Sequence, residues 1–149
     1  MSDARCLDLF AGTGAVGIEA LSRGAASCTF VDVARPATAA IRSNLERAHL
    51  AERGTVRTAD VTVYLRRRRV DEPPYDLVFL DPPYELAGPS LSGSLAALDA
   101  GWLAPEGWTV VLTRGHKSSL PAVPVHWATR RQLRYGDSLL TLYREDRWA

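Results

Sequence analysis

The sequence predicts an α/β fold: a mostly parallel seven-stranded sheet with helices on both faces, finished by a C-terminal antiparallel hairpin. Three observations carry this. Short apolar runs alternate with amphipathic stretches along most of the chain, the pattern of parallel strands joined by crossover helices. The run Asp76 to Leu80 is almost wholly apolar, as a strand covered on both faces must be. Near the C-terminus, Val125 to Tyr135 and Leu139 to Arg144 flank Gly136-Asp137, a pair suited to a hairpin turn.

The elements follow in order. A first strand covers about Arg5 to Phe10, then comes a glycine-rich turn and a helix from about Gly14 to Ser22, stopped by Arg23-Gly24. The second strand is Ser27 to Val33. Pro36 suits the first turn of the next helix, which runs to about His49 with Ala37, Ala40, Ile41, Leu45 and Ala48 at helical spacing. Gly54 precedes a third strand, Thr55 to Thr58, and a helix from about Val61 to Arg68 places Val61, Tyr64 and Leu65 on one side. Pro73-Pro74 breaks the chain before the fourth strand, and Asp81-Pro82-Pro83-Tyr84 ends that strand. A helix from about Leu91 to Leu98 leads to the fifth strand, Thr109 to Thr113. No repeat, low-complexity tract or linker interrupts the pattern, so residues 1–149 read as one domain.

Composition excludes some functions. At 46% hydrophobic and 23% charged residues, the chain has the balance of a globular protein. A net charge of +1 gives no global field toward nucleic acid, so such contact would use local patches. Cys6 and Cys28 lie in strand-like apolar runs and read as buried free thiols; no metal site is expected. No leader or membrane-spanning run is apparent, and a cytoplasmic protein is expected, with a monomer favoured.

The first candidate site is the glycine turn. Asp8-Leu9-Phe10-Ala11-Gly12-Thr13-Gly14-Ala15-Val16-Gly17 lies where a strand becomes a helix, and glycine there permits a tight turn and close approach of a ligand. Asp8 could accept hydrogen bonds from a ligand ammonium. Gly12 to Gly17 satisfies G-x-G-x-x-G, and Asp32 ends the second strand where an acid binds ribose hydroxyls. These features point to an adenosine-containing ligand, either S-adenosylmethionine or a nicotinamide cofactor.

Asp81-Pro82-Pro83-Tyr84 separates the two. Its prolines fix a rigid backbone without donors, so carbonyl oxygens and the Asp81 carboxylate form an acceptor cluster at the sheet edge. An exocyclic base amine offers the N–H groups such a cluster takes, and Tyr84 is placed to stack on the base. That amine is a weak nucleophile because its lone pair is delocalised; acceptors on its N–H groups stabilise the charge that develops during attack. The nicotinamide alternative has no use for this turn.

Asp8 to Gly14, Asp32 and Asp81 to Tyr84 together resemble class I methyltransferases acting on base amino groups. The stretch Leu7 to Ala25, together with Val31-Asp32, Asn44-Leu45 and Arg134-Tyr135-Gly136-Asp137, is similar to the bacterial RsmD-type family, which modifies guanine N2 of small-subunit ribosomal RNA. The resemblance implies a Rossmann-like class I methyltransferase fold and S-adenosyl-L-methionine as cofactor. The partner it implies is ribosomal RNA, naked or in an assembled small subunit. Asp8, Phe10, Gly12 and Gly14 would surround the methionine part of the cofactor. Asp32 would hold the ribose hydroxyls with Val33 against the adenine, and Asp60 would meet the adenine amino group with Val61 beside it. Asp81 and the Pro82 carbonyl would bind the target amine, and Tyr84 would stack on the base. Family members carry a segment before the first strand that helps cover the cofactor and touch RNA; this chain is expected to lack it. The alternatives are adenine-N6 methylation of DNA or RNA, and an inactive remnant that binds cofactor or RNA.

Two arginine groups remain. Arg66 to Arg69 ends a predicted helix and reads first as a solvated face. Arg130, Arg131 and Arg134 precede the hairpin turn, and strand alternation would set Arg130 and Arg134 on one face, available to phosphate. His49, His116 and His126 read as surface or loop residues, and Trp102, Trp108 and Trp127 as packing.

Overall fold

The computed structural model describes residues 3–67, 71–86 and 88–146. Its elements are β1 (Arg5–Leu9), α1 (Ala15–Ser22), β2 (Ser27–Asp32), α2 (Arg35–Arg47), a short 3₁₀ turn (Ala51–Arg53), β3 (Gly54–Thr58), α3 (Val61–Arg66), β4 (Leu77–Leu80), α4 (Gly88–Asp99), β5 (Thr109–Gly115), β6 (Trp127–Tyr135) and β7 (Ser138–Glu145). The seven strands form one sheet in the order β3-β2-β1-β4-β5-β7-β6. β1 to β5 pair in parallel, while β7 inserts antiparallel between β5 and β6. The expected hairpin is present, docked through its second strand.

Alternation of side chains across the strands builds two cores. On one face Cys6 and Phe30 of the sheet pack with Ala20 and Leu21 of α1 and Ile41 and Leu45 of α2. On the other, Leu7, Leu9, Val78, Leu80 and Val110 pack under α3 and α4. Trp102, Trp108 and Trp127 belong to this second core, and the Trp102 indole donates to the Leu65 carbonyl at 2.9 Å. Cys6 and Cys28 are buried neighbours in register on β1 and β2, and burial pushes both thiols up, Cys6 to about 11.

Some boundaries differ from the sequence reading. α4 starts at Gly88, a turn earlier than expected, because Pro89 fits the first helical turn. α2 closes at Arg47; His49 takes φ 59°, and the Leu50 amide donates back to the Leu45 carbonyl at 2.9 Å. This is a Schellman ending with histidine where glycine is usual. In β6 the pairing shifts between Thr129 and Arg131. That bulge interrupts the alternation, so Arg130 and Arg134 are not related by the two-residue period expected of a regular strand.

Candidate active site

Strand order runs outward from β1 to β2 and β3 on one side and to β4 and β5 on the other. The β1–β4 junction is therefore a topological switch point, where open parallel sheets bind ligands beyond the strand carboxyl ends. Three carboxylates converge there: Asp8 within β1, Asp32 at the end of β2, and Asp81 directly after β4.

Asp8 is flanked by the buried apolar residues Leu7 and Leu9 of β1, and it is itself 4% exposed. Its Oδ2 accepts the Gly17 amide at 3.1 Å. Burial pushes its carboxyl up to about 7, and the charges of Asp81 and Asp32 add to the rise against the opposing Gly17 hydrogen bond. A group held this way is poised to ionise, giving its proton to solvent, when a cation is placed beside it.

The loop after β1 is shaped by three left-handed residues: Phe10 (φ 59°), Gly12 (φ 59°) and Gly14 (φ 81°). Phe10 carries the steric cost of that conformation and is held in it by packing against the core beneath α3 and α4. The three glycines of the motif serve different ends. A Cβ on Gly12 would meet nothing within 4 Å, so its face is open to a ligand. A Cβ on Gly14 would touch Ile41 at 3.2 Å, and one on Gly17 would lie 2.4 Å from Phe30 Cε1 and 2.7 Å from Cys28 Sγ. Gly17 is thus required for seating α1 on the sheet. Asp32 fastens the loop, accepting the Gly12 amide on Oδ2 and the Ala34 amide on Oδ1, both at 2.9 Å. Asn44 of α2, part of the Asn44-Leu45 pair that carries the family resemblance, donates from Nδ2 to the Thr13 carbonyl at 3.0 Å and so supports the loop.

Val33 is 66% exposed beside Asp32, an apolar surface at the rim of the crevice. Asp60 caps α3, its Oδ1 accepting from the Val63 amide at 3.1 Å and from the Thr62 hydroxyl. The Thr62 bond, then the Val63 bond, hold its carboxyl below the usual range. The Val61 side chain is 3% exposed and belongs to the core, so what it offers a ligand is its backbone amide at the start of α3. The structure thus brings Asp8, Gly12, Asp32 and Asp81 together and sets Asp60 and Val61 at the end of the edge strand β3.

Asp81, Pro82 and Tyr84 line a cavity of about 340 Å³ with Thr113, Arg114 and Ser138. Asp81 is exposed as a residue, yet partial burial of its carboxyl raises its proton affinity. Pro82 is buried and anchors the turn, while Tyr84 is 74% exposed. Gly115 makes room for Tyr84: a Cβ there would lie 3.0 Å from Tyr84 Cε1. Thr113, Arg114, Gly115 and Ser138 were missed by sequence reasoning, because β5 and β7 bring them to the turn only through sheet register. A larger cleft of about 570 Å³ opens on the α3 side near Thr29, Arg57, Tyr64 and Tyr75, away from this chemistry. Arg66 and Arg67 are exposed, and Arg68 and Arg69 lie outside the described residues. Arg130, Arg131 and Arg134 are exposed on the edge strand β6. No helix among the described residues is long and apolar enough to cross a membrane.

A family model described as Conserved hypothetical protein 95 matches residues 1–144. The Ribosomal RNA small subunit methyltransferase D of Escherichia coli strain K12 is 34% identical over 145 residues, covering 97% of this chain and 70% of that protein. A solved structure of a conserved hypothetical protein from Streptococcus pyogenes superposes with a TM-score of 0.84 at 31% identity, covering 96% of this chain and 86% of the other. Ribosomal protein L11 methylase from Lactobacillus delbrueckii subsp. bulgaricus shares the fold alone, with a TM-score of 0.72 at 15% identity over 97% of this chain and 71% of that one.

Proposed function

The chain belongs to the Conserved hypothetical protein 95 family, the family of the ribosomal RNA small subunit methyltransferases D, and on that footing we propose that it transfers a methyl group from S-adenosylmethionine to guanine N2 of small-subunit ribosomal RNA. The observation that carries this reading is the placement of the Asp81-Pro82-Pro83-Tyr84 turn beside the crevice formed by Asp8, Gly12 and Asp32.

The crevice fits the cofactor. Gly12 presents an open backbone face, and Asp8 is a buried carboxyl whose charged form a ligand ammonium would stabilise. Asp32 keeps the loop in shape while its carboxylate stands at the strand end, where ribose hydroxyls bind. Val33 would supply apolar surface for the adenine, and Asp60 with the Val61 amide, at the end of β3 next to β2, would meet its polar edge. When bound, S-adenosylmethionine supplies a methyl group made electrophilic by its sulfonium.

The residues of this chain prepare the other reactant. Asp81 and the Pro82 carbonyl accept the N–H groups of the base amine, which localises its lone pair and stabilises the positive charge formed on nitrogen. The raised proton affinity of Asp81 makes it a stronger acceptor than an ordinary surface carboxylate. Tyr84 presents its ring to the base face, and the rigid Pro82-Pro83 backbone fixes the amine in line. A paired target must be flipped out first.

The test is transfer of labelled methyl from S-adenosylmethionine to small subunits lacking the modification, to their naked RNA and to unmethylated DNA, with nucleoside analysis. Label in N2-methylguanosine is the expected result. Label in N6-methyladenine would retain the mechanism and replace the substrate; cofactor binding with no label on any substrate would overturn the assignment as an enzyme.

A further inference from the structure

We propose that Arg114 reads the target base, donating hydrogen bonds to the O6 and N7 edge of guanine while Asp81 and Pro82 hold the amine; this assignment rests on the guanine reading above. Arg114 lies near the end of β5 and lines the same cavity as Asp81, Pro82 and Tyr84. Its Nε and Nη1 are shut off from solvent, and no group among the described residues accepts a hydrogen bond from them. Buried guanidinium donors without an acceptor are costly, and a fold that keeps them in the wall of a ligand cavity holds them for an acceptor that reaches them once the side chain shifts toward that cavity. Asp81, on the same cavity, does not satisfy them: the two form no ion pair.

A cavity with a carboxylate and a guanidinium that stay apart suits a ligand with donors at one end and acceptors at the other. Guanine has this polarity, with the N2 amine and N1–H toward one end and O6 and N7 toward the other. Arginine takes the O6 and N7 pair with two parallel N–H groups, and each of its two-nitrogen edges here includes an unpaired nitrogen. A backbone phosphate would also satisfy the guanidinium, but in this cavity it would face the Asp81 carboxylate. Tyr84, 74% exposed, has room to turn as the base enters.

The assignment is tested with Arg114→Met and Arg114→Lys on RNA carrying guanosine, 7-deazaguanosine or 6-thioguanosine at the labelled position. 7-Deazaguanosine removes the N7 acceptor, and sulfur at position 6 weakens the other. Arg114→Met is expected to lower kcat/KM on guanosine roughly 10- to 100-fold, the worth of a two-donor contact. Cofactor affinity should hold, and the melting temperature should not fall, since a buried unpaired charge is removed. The analogues should slow the wild type and leave Arg114→Met unchanged, with Arg114→Lys between. Full activity of Arg114→Met on guanosine, or a wild type indifferent to both analogues, overturns the assignment. So do analogues that slow wild type and variant alike, which would place the contact on the RNA backbone. Wild-type transfer to adenine, or to no RNA, overturns the guanine reading itself and the assignment with it.

Discussion

Asp8→Asn should make the protein less stable near pH 4 and more stable at pH 8. The folded carboxyl titrates at about 7 against an ordinary value of 3.8. The folded state therefore binds the proton more tightly than the unfolded chain. Its contribution is greatest below the unfolded value, is lost as pH rises from about 4 to about 7, and stays lost above that. A rise of this size corresponds to about 4 kcal/mol across the window. Asparagine keeps the volume and an oxygen for the Gly17 amide, and it does not titrate. Its amide donors have no assured acceptor in this strand, a cost of about 1–3 kcal/mol at every pH. The difference between variant and wild type should thus change sign within the window, moving by about 4 kcal/mol, or on the order of 10 °C in melting temperature. Urea melts at pH 4.5, 6 and 8 measure it. A difference that does not vary with pH would refute the reasoning, because it would mean Asp8 is already charged at low pH in the fold. The same proton should appear in binding. Affinity of the wild type for S-adenosylmethionine should fall toward tenfold per pH unit below about 7, with no such slope in Asp8→Asn.

The other predictions concern the remaining parts of the site. Asp81→Ala should abolish transfer, a loss of roughly 10²- to 10³-fold or more, with cofactor affinity nearly intact by calorimetry. Full turnover in this variant would remove Asp81 from catalysis. Asp32→Ala deprives the Gly12 and Ala34 amides of their acceptor and should weaken cofactor binding more than it lowers turnover at saturation. Gly17→Ala should destabilise the fold by roughly 1–3 kcal/mol through overpacking against Phe30 and Cys28, read as a lower urea midpoint at unchanged slope.

What was legible in the sequence was what sits contiguously along it. The glycine turn, Asp32 and Asp81 to Tyr84 each announce themselves within a few residues, and the alternation of strands and helices fixes which ends they occupy. Arg114 and Ser138 could not be seen this way. Their meeting with Asp81 depends on β5 pairing with β4 on one side and β7 on the other, and no local pattern says that β7 rather than β6 takes that place. The bulge at Arg130 was hidden for a related reason: the extra residue shows only against its partner strand. Motif matching also treats Gly12, Gly14 and Gly17 alike, although one faces a ligand and another faces Phe30. The proton affinity of Asp8 is less legible still, because it sums burial with the charges of Asp81, in the turn after β4, and Asp32, at the end of β2.

These charges make sense as a set. Three carboxylates converge at the switch point in a chain whose net charge is only +1, so the negative field is local and built by topology. The fold offsets it with backbone amides: Gly17 toward Asp8, Gly12 and Ala34 toward Asp32. Those amides come from the glycine turn, the start of α1 and the turn into α2, so the loop that admits the ligand also makes the acid cluster tolerable. The compensation is partial, as the raised carboxyl of Asp8 records, and a cationic ligand would complete it. On the proposed reaction the cofactor enters with a sulfonium charge and leaves without it, while its ammonium remains. The cluster therefore favours the reactant cofactor over the product by the interaction of the lost charge, and product release becomes easier at the moment the methyl has moved.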